Sequence, residues 1–260
     1  MGILNVTPDS FADGGEHFSL DRALSRARRM FEEGVDIIDV GGESTRPGSQ
    51  GVSLQQELDR VVPVIAAISA EFPIPVSIDT SKPQVMRESV AAGAGLINDV
   101  TALRRPGALQ AVKDLSVPVC LMHMLGEPGS MQNQPAYRDV VAEVRGFLEA
   151  RVKACEEAGI SREKLLLDPG FGFGKNLDHN LALLKNLGTI ADIGLPLLVG
   201  TSRKSMIGKI LDDRQVDGRL FGSLATVVLA LERGAAIVRV HDVAATADAV
   251  RVVAAVLAAD

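Results

Sequence analysis

The sequence predicts a single (β/α)8 barrel of the TIM type, and three observations predict it. Short Val/Ile/Leu runs alternate with longer amphipathic stretches, the pattern of parallel strands covered by helices. The alternation repeats eight times in 260 residues, roughly 32 per unit, about what a strand, a helix and two loops occupy. Each run also ends in a polar or glycine-rich loop, and no linker, charge block or low-complexity tract divides the chain, so residues 1–260 read as one domain.

The strand candidates are Gly2 to Asn5, Ile37 to Val40, Val76 to Ile78, Leu96 to Asp99, Val119 to Met122, Leu165 to Asp168, Leu197 to Val199 and Ile237 to Val240. They are short and apolar on both faces, as strands buried between a barrel interior and a helical layer must be. Helices are expected around Leu20 to Glu33, Leu54 to Ala70, Pro83 to Ala92, Pro106 to Asp114, Asp139 to Ala158, Leu177 to Asn186, Gly222 to Arg233 and Thr246 to Ala258. A doubly wound open sheet is the alternative, but it has fewer strands and a glycine-rich first turn, whereas the turn here is NVTPDS. The stretch GSLATVVLALERG is apolar nearly all round, more than one buried stripe requires, so its outer side is expected to meet a second copy in a homodimer.

Composition narrows the function. Two cysteines, Cys120 and Cys155, give neither a disulfide framework nor a CxxC pair and suit a reducing cytoplasm. The start MGILNVTPDS has no basic segment followed by an apolar run, and no apolar stretch is long enough to span a bilayer, so no membrane partner is expected. A net charge of -6 argues against a nucleic-acid partner, which would need a basic stripe.

Polar residues collect where the strands end, and in a barrel the C-terminal strand ends are where catalytic groups sit. The first strand ends in Asn5; the second leads into GGESTRPGS; the third into Asp79 and Thr80; the fourth into Asn98 and Asp99. His123 follows the fifth, Asp168 ends the sixth, SRKS follows the seventh and RVHD the eighth. Arg46, Lys204, Arg239 and His241, with Ser44, Thr45 and Ser202 beside them, suit a phosphate or diphosphate. Asp79, Asn98 and Asp168 suit a flat heterocycle that presents ring N–H and amino donors, because carboxylates and amides accept such bonds in one plane. The substrates expected are therefore small molecules carrying both features. GFGFGK is not a Walker loop, since that spacing would need glycine at Pro169 and Ser or Thr at Asn176. The four histidines lack ligand spacing for zinc, and neither GxSxG nor a Cys-His nucleophile pattern occurs.

Taken together, NVTPDSF, DVGGESTRPG, SIDTSKP, INDV, LMHM, LLLDPGFGFGK, GTSRKSMIG and VRVHDV resemble the bacterial dihydropteroate synthase family, over the chain from Met1 to its last helix. That resemblance implies a pterin-binding barrel that joins 6-hydroxymethyl-7,8-dihydropterin diphosphate to 4-aminobenzoate in folate synthesis, releasing diphosphate. By the same resemblance Asn5 is the magnesium ligand, Mg2+ also bridging the diphosphate. Asp79, Asn98, Asp168 and Lys204 resemble the pterin contacts, and Thr45, Arg46, Ser202, Arg239 and His241 the diphosphate contacts. Phe11, Pro47, Phe173 and Ser205 resemble the aminobenzoate pocket, which sulfonamides would mimic. Asp13, Arg46, Asp79 and Lys204 are the residues expected to be catalytic, Asp13 from a loop that helps order the site. Members usually carry a short segment ahead of the first strand, and this chain starts almost inside that strand.

Two rival readings share the barrel. A pterin-barrel methyltransferase that uses methyltetrahydrofolate needs no phosphate clamp, so Arg46, SRKS and RVHD speak against it. A non-catalytic pterin carrier would need Asp79, Asn98 and Asp168 but gives Asn5 no purpose.

Overall fold

A computed structural model of the chain describes residues 1–6, 16–44, 51–126, 131 and 135–259. Eight strands lie in sequence order, each parallel to the next: β1 (Gly2–Asn5), β2 (Ile38–Gly41), β3 (Val76–Asp79), β4 (Leu96–Asp99), β5 (Val119–Met122), β6 (Leu165–Asp168), β7 (Leu197–Val199) and β8 (Ala235–Val238). The sheet closes on itself, because Ile3 N–H donates to the Val240 carbonyl at 3.0 Å and Val240 N–H donates to the Met1 carbonyl at 3.0 Å. The expected barrel is the observed fold.

Between the strands run α1 (Glu16–Glu32), α2 (Leu54–Glu71), α3 (Pro83–Ala91), α4 (Ala108–Leu115), α5 (Val140–Glu157), α6 (Leu177–Lys185), α7 (Leu187–Ala191), α8 (Ser205–Ile210), α9 (Leu220–Glu232) and α10 (Val243–Leu257). Local chemistry sets several of their starts. Ser53 and Gln56 form a capping box on α2, Asp139 accepts from two N–H groups of α5, and Asn176 and His179 form a second box on α6. Two helices have no counterpart in the sequence reading: α7 and α8 are five and six residues long, too short to show a helical period. The last strand lies two residues earlier than expected. Its Ala235 and Ala236 carry little apolar signal, and a register irregularity at Leu197/Leu198 displaces it against β7.

Alternation divides the strand side chains between two cores. One set, including Ile38, Val40, Ile78, Ile97, Leu121, Leu167 and Val199, faces the helices in the main cluster. The other set fills the barrel's interior, where Met1, Leu96, Cys120 and Leu198 pack with Ile37, Leu166 and Ile237. Two residues further along the strands the interior positions are Asp39, Asn98, Asp168 and Arg239, and the apolar plug gives way to a polar basin.

Candidate active site

The basin is built around Arg239, one residue past β8. Its guanidinium forks between two carboxylates: Nε lies 2.6 Å from Asp39 Oδ2, and Nη2 lies 2.8 Å from Asp79 Oδ2. Burial opposes its charge, but Asp39 and Asp79 outweigh that cost and hold it ionised. Asn98 Nδ2 donates to the same Asp39 oxygen at 3.2 Å. One oxygen of each acceptor is left over: among the described residues, Asp39 Oδ1, Asp79 Oδ1 and Asn98 Oδ1 are buried without a hydrogen-bond partner. Leaving such a group unpaired costs roughly 1–3 kcal/mol, which a ligand's N–H donors would recover.

Burial also shifts the proton affinities of the groups in the basin. Burial pushes the Asp79 carboxyl up to about 7, with Arg239 pulling it down and Asp39, Glu57 and Asp99 adding repulsion. Asp168 is likewise raised by burial, against the pull of Lys204 and of the Gly170 N–H, which donates to its Oδ1 at 2.7 Å. Lys204 is brought down to about 8 by burial, with Asp168 sustaining its charge. A site where acids rise and a lysine falls is typical of a buried binding cleft.

The other groups are aimed by their local folds. Lys204 Nζ donates to the Phe171 carbonyl and lies 4.8 Å from the centre of the Phe173 ring. The turn before α8 puts Arg203 in the left-handed region at φ 58°. Three contacts hold it there: Nε bonds Asp242 Oδ2 at 2.9 Å, its N–H donates to Ser223 Oγ at 3.0 Å, and Arg219 Nη1 donates to its carbonyl at 2.9 Å. That turn delivers Ser202 and Lys204 to the basin. Ser202 Oγ accepts the His241 N–H at 3.1 Å and pairs with its Nδ1 at 3.0 Å, fixing the ring. Ser205, the first residue of α8, is exposed. Asn5 ends β1 and is half buried; Asn5 Oδ1 and Asp79 flank Gly41, each 3.6 Å from where a Cβ would stand.

The loop after β6 forms one wall. Gly170 and Gly174 have φ of 69° and 63°, and a Cβ on them would sit 1.8 Å from the His123 carbonyl oxygen and 2.6 Å from the Leu125 carbonyl oxygen, so only glycine fits. Phe171 turns into the core and is fully buried, a contribution of roughly 2–3 kcal/mol. Asn180 accepts the Gly172 N–H at 2.8 Å.

Asp79, Asn98, Asp168, Lys204 and Arg239 thus share one basin, with Asn5 beside Asp79 and Phe173 under Lys204. Ser202 and His241 pair on the same rim, where β7 and β8 end. Phe11, Asp13, Thr45, Arg46 and Pro47 lie outside the described residues. Sequence reasoning missed Asp39, whose only signal was an acid inside the apolar run IIDV. It also missed the support beneath β3. There, fully buried Glu57 accepts from Thr80 Oγ1 at 2.5 Å and from Lys82, which reaches Glu43 at 2.6 Å.

Fold and basin define a barrel enzyme that takes a flat, donor-rich heterocycle against its interior and an anionic group at its rim. Residues 1–241 match the model of the pterin binding enzyme family. The chain is 56% identical over 259 residues to dihydropteroate synthase of Escherichia coli, covering 100% of this chain and 92% of that protein. It is 53% identical over 252 residues to the Haemophilus influenzae dihydropteroate synthase, covering 97% and 91%. Among solved structures, the Yersinia pestis enzyme in a sulfonamide drug complex superposes with TM-score 0.94 at 53% identity, covering 100% of this chain and 94% of that one. The Xanthomonas albilineans enzyme in complex with 7,8-dihydropteroate gives 0.91 at 51% identity, covering 100% and 94%. The chain belongs to the dihydropteroate synthase family of pterin-binding enzymes, and it is a transferase.

Proposed function

We propose that the basin condenses 6-hydroxymethyl-7,8-dihydropterin diphosphate with 4-aminobenzoate, giving 7,8-dihydropteroate and diphosphate for folate synthesis. The observation that carries this reading is the trio of unpartnered oxygens, Asp39 Oδ1, Asp79 Oδ1 and Asn98 Oδ1. They stand in one layer as acceptors for the ring N–H and amino groups of a pterin. Asp168 and Lys204 complete the ring's edge. The diphosphate is held by Arg239, His241 and Ser202 together with Thr45 and Arg46, and the amine sits among Phe11, Pro47, Phe173 and Ser205, where a sulfonamide competes.

A magnesium ion fits the donor set at Asn5. Among the described residues no three His, Cys, Asp or Glu side chains gather as an all-protein cage, and Mg2+ commonly binds through one or two protein oxygens plus substrate phosphates. Asn5 Oδ1 would supply one such oxygen, and the ion would neutralise charge on the diphosphate. The protein's own residues do the rest. The bond from the pterin methylene carbon to the diphosphate oxygen breaks first, and its electron pair leaves with diphosphate toward Arg46 and Arg239. The cation left behind is delocalised over the dihydropterin and faces the carboxylates of Asp79 and Asp13. The amine nitrogen, aligned by its pocket, donates its lone pair to that carbon and sheds a proton to solvent.

Two further features belong to the same proposal. The enzyme works as a homodimer, an arrangement supported by the outer faces of α9 and α10, where Phe221 is 80% exposed and Val252, Val256 and Leu257 exceed 60%. It works in the cytoplasm, where its two unpaired, buried cysteines suit a reducing environment. Among the described residues, no helix is long and apolar enough to cross a membrane.

An assay with both substrates tests the whole. Dihydropteroate and diphosphate should appear in equal amounts, and chelating Mg2+ should slow their appearance at least about tenfold, given the several kcal/mol a metal supplies to such charge. Absence of product with both substrates and Mg2+ present refutes the reading. Diphosphate release that strictly requires the amine overturns the dissociative order.

A further inference from the structure

Lys175 touches none of the basin's open oxygens, yet it is buried, 3% exposed, and a buried ammonium is costly unless its N–H bonds are used. All three are. Nζ lies 2.8 Å from the Gly170 carbonyl oxygen, 3.1 Å from the Phe173 carbonyl oxygen and 2.8 Å from His123 Nδ1. His123 must then be neutral, with its lone pair on Nδ1. Burial and the nearby Lys175 charge hold its pKa down to about 3, so it remains an acceptor at working pH.

Two of these acceptors lie on the loop that walls the site. Gly170 is gripped at both ends of its peptide units, its N–H by Asp168 and its carbonyl by Lys175. The next carbonyl, Phe171, is taken by Lys204 from the basin side. Phe173 is shared as well: Lys175 binds its carbonyl while its ring lies under Lys204. Lys175 therefore ties the residue that presents the amine-pocket ring to the residue anchored by the pterin-binding Asp168.

We infer that Lys175 is a positioning residue for the aminobenzoate subsite, setting where the Phe173 ring stands beneath Lys204 without touching substrate. This rests on the assignment of Phe173 to the amine pocket made above. The charged and titratable groups facing it act from every side. Asp168 on β6 sustains its charge; Lys204 opposes it; His123 after β5 accepts from it, with Arg104 acting on that ring. Tyr137 donates to the Gly174 carbonyl at 2.9 Å, and His179 of α6 stacks edge-on against Tyr137 at 4.9 Å. Burial, with Lys204, brings Lys175 down to about 7. A neutral amine has one N–H fewer, so one of the three acceptors loses its bond as pH rises past that point.

Steady-state kinetics in both substrates from pH 6 to 9 tests the assignment. Lys175→Met should raise the KM for 4-aminobenzoate at least tenfold while the KM for the pterin diphosphate moves less than threefold. The wild-type rise in aminobenzoate KM above pH 7 should be absent from that variant. His123→Leu, which removes one acceptor, should raise the same KM three- to fivefold, and His123→Asn, which restores an acceptor oxygen, should return it toward wild type. Equal rises in both KM values, or unchanged KM values with only less folded protein, overturn the inference. If Lys175→Met does not fold, the His123 pair decides it by the same split. An inactive wild type would instead refute the function; an active wild type with an unmoved aminobenzoate KM refutes Lys175 alone.

Discussion

The barrel's interior has two layers of opposite character, only two residues apart along the chain, roughly 6.6 Å. In the lower layer the apolar side chains of Met1, Ile37, Leu96, Cys120, Leu166, Leu198 and Ile237 pack together, with Ser77 and the Met1 ammonium, which donates to the Val238 carbonyl at 3.0 Å, as polar groups among them. In the upper layer Asp39, Asp79, Asn98, Asp168 and Arg239 meet instead. Four of the runs supply both, as Ile37 and Asp39, Leu96 and Asn98, Leu166 and Asp168, and Ile237 and Arg239. Stability and function are therefore separated by height in one continuous wall: the lower layer gains from excluding water, and the upper layer keeps unpaired acceptors that only a ligand satisfies.

The sharpest way to break this contrast is to extend the lower chemistry upward. Asp168→Leu would repeat Leu166 one layer higher. It should remove charge-assisted contacts to the pterin worth roughly 1.5–3 kcal/mol each, so kcat/KM for the pterin diphosphate should fall at least about a hundredfold. An effect under tenfold would mean the upper layer does not hold the ring.

A second substitution attacks the upper layer's own balance. Arg239→Met leaves Asp39 and Asp79 buried side by side without their shared cation, which should cost about 3–5 kcal/mol in urea unfolding at pH 8. The loss should shrink at low pH. Asp79 has its folded pKa raised to about 7 from 3.8, so the folded state binds its proton more tightly than the unfolded chain. That contribution is fully present below about 4 and disappears as pH rises through 7. Without Arg239 pulling the carboxyl down, the dependence steepens. A variant no more destabilised at pH 8 than at pH 5 would contradict the ion-pair account.

Much of this was legible in the sequence, and the reasons it stopped are local. Strand ends with polar residues exposed the rim because apolar runs break visibly at Asn5, Asp79, Asn98 and Asp168. The pairing of Arg239 with Asp39 and Asp79 was not legible, since the partners stand 200 and 160 residues away and only barrel closure brings them together. Read alone, Arg239 looks like an anion clamp; in place, it first neutralises two carboxylates. Lys175 was hidden for a different reason. Sitting in a glycine-rich tract, it invites comparison with a phosphate loop, and nothing in the spacing tells that its amine turns inward to bind its own loop's carbonyls. The short helices α7 and α8 left too few residues to mark a period.

The smallest effect concerns Ser77, the polar residue just below Asp79. Its Oγ is buried without a partner among the described residues, so Ser77→Ala should be neutral or stabilising by up to about 1 kcal/mol in thermal unfolding, with kcat unchanged. A marked loss of activity would mean that the functional layer reaches deeper than the plug allows.

Cys120 belongs to that plug and Cys155 to the buried face of α5. Burial raises both thiols, Cys155 to about 11, so in the native molecule neither offers a thiolate to an alkylating reagent. The protein thus carries two silent chemical stopwatches. Modification of Cys155 times the lifting of one helix and that of Cys120 times the parting of the staves, so their ratio reports whether the barrel opens piecemeal or all at once.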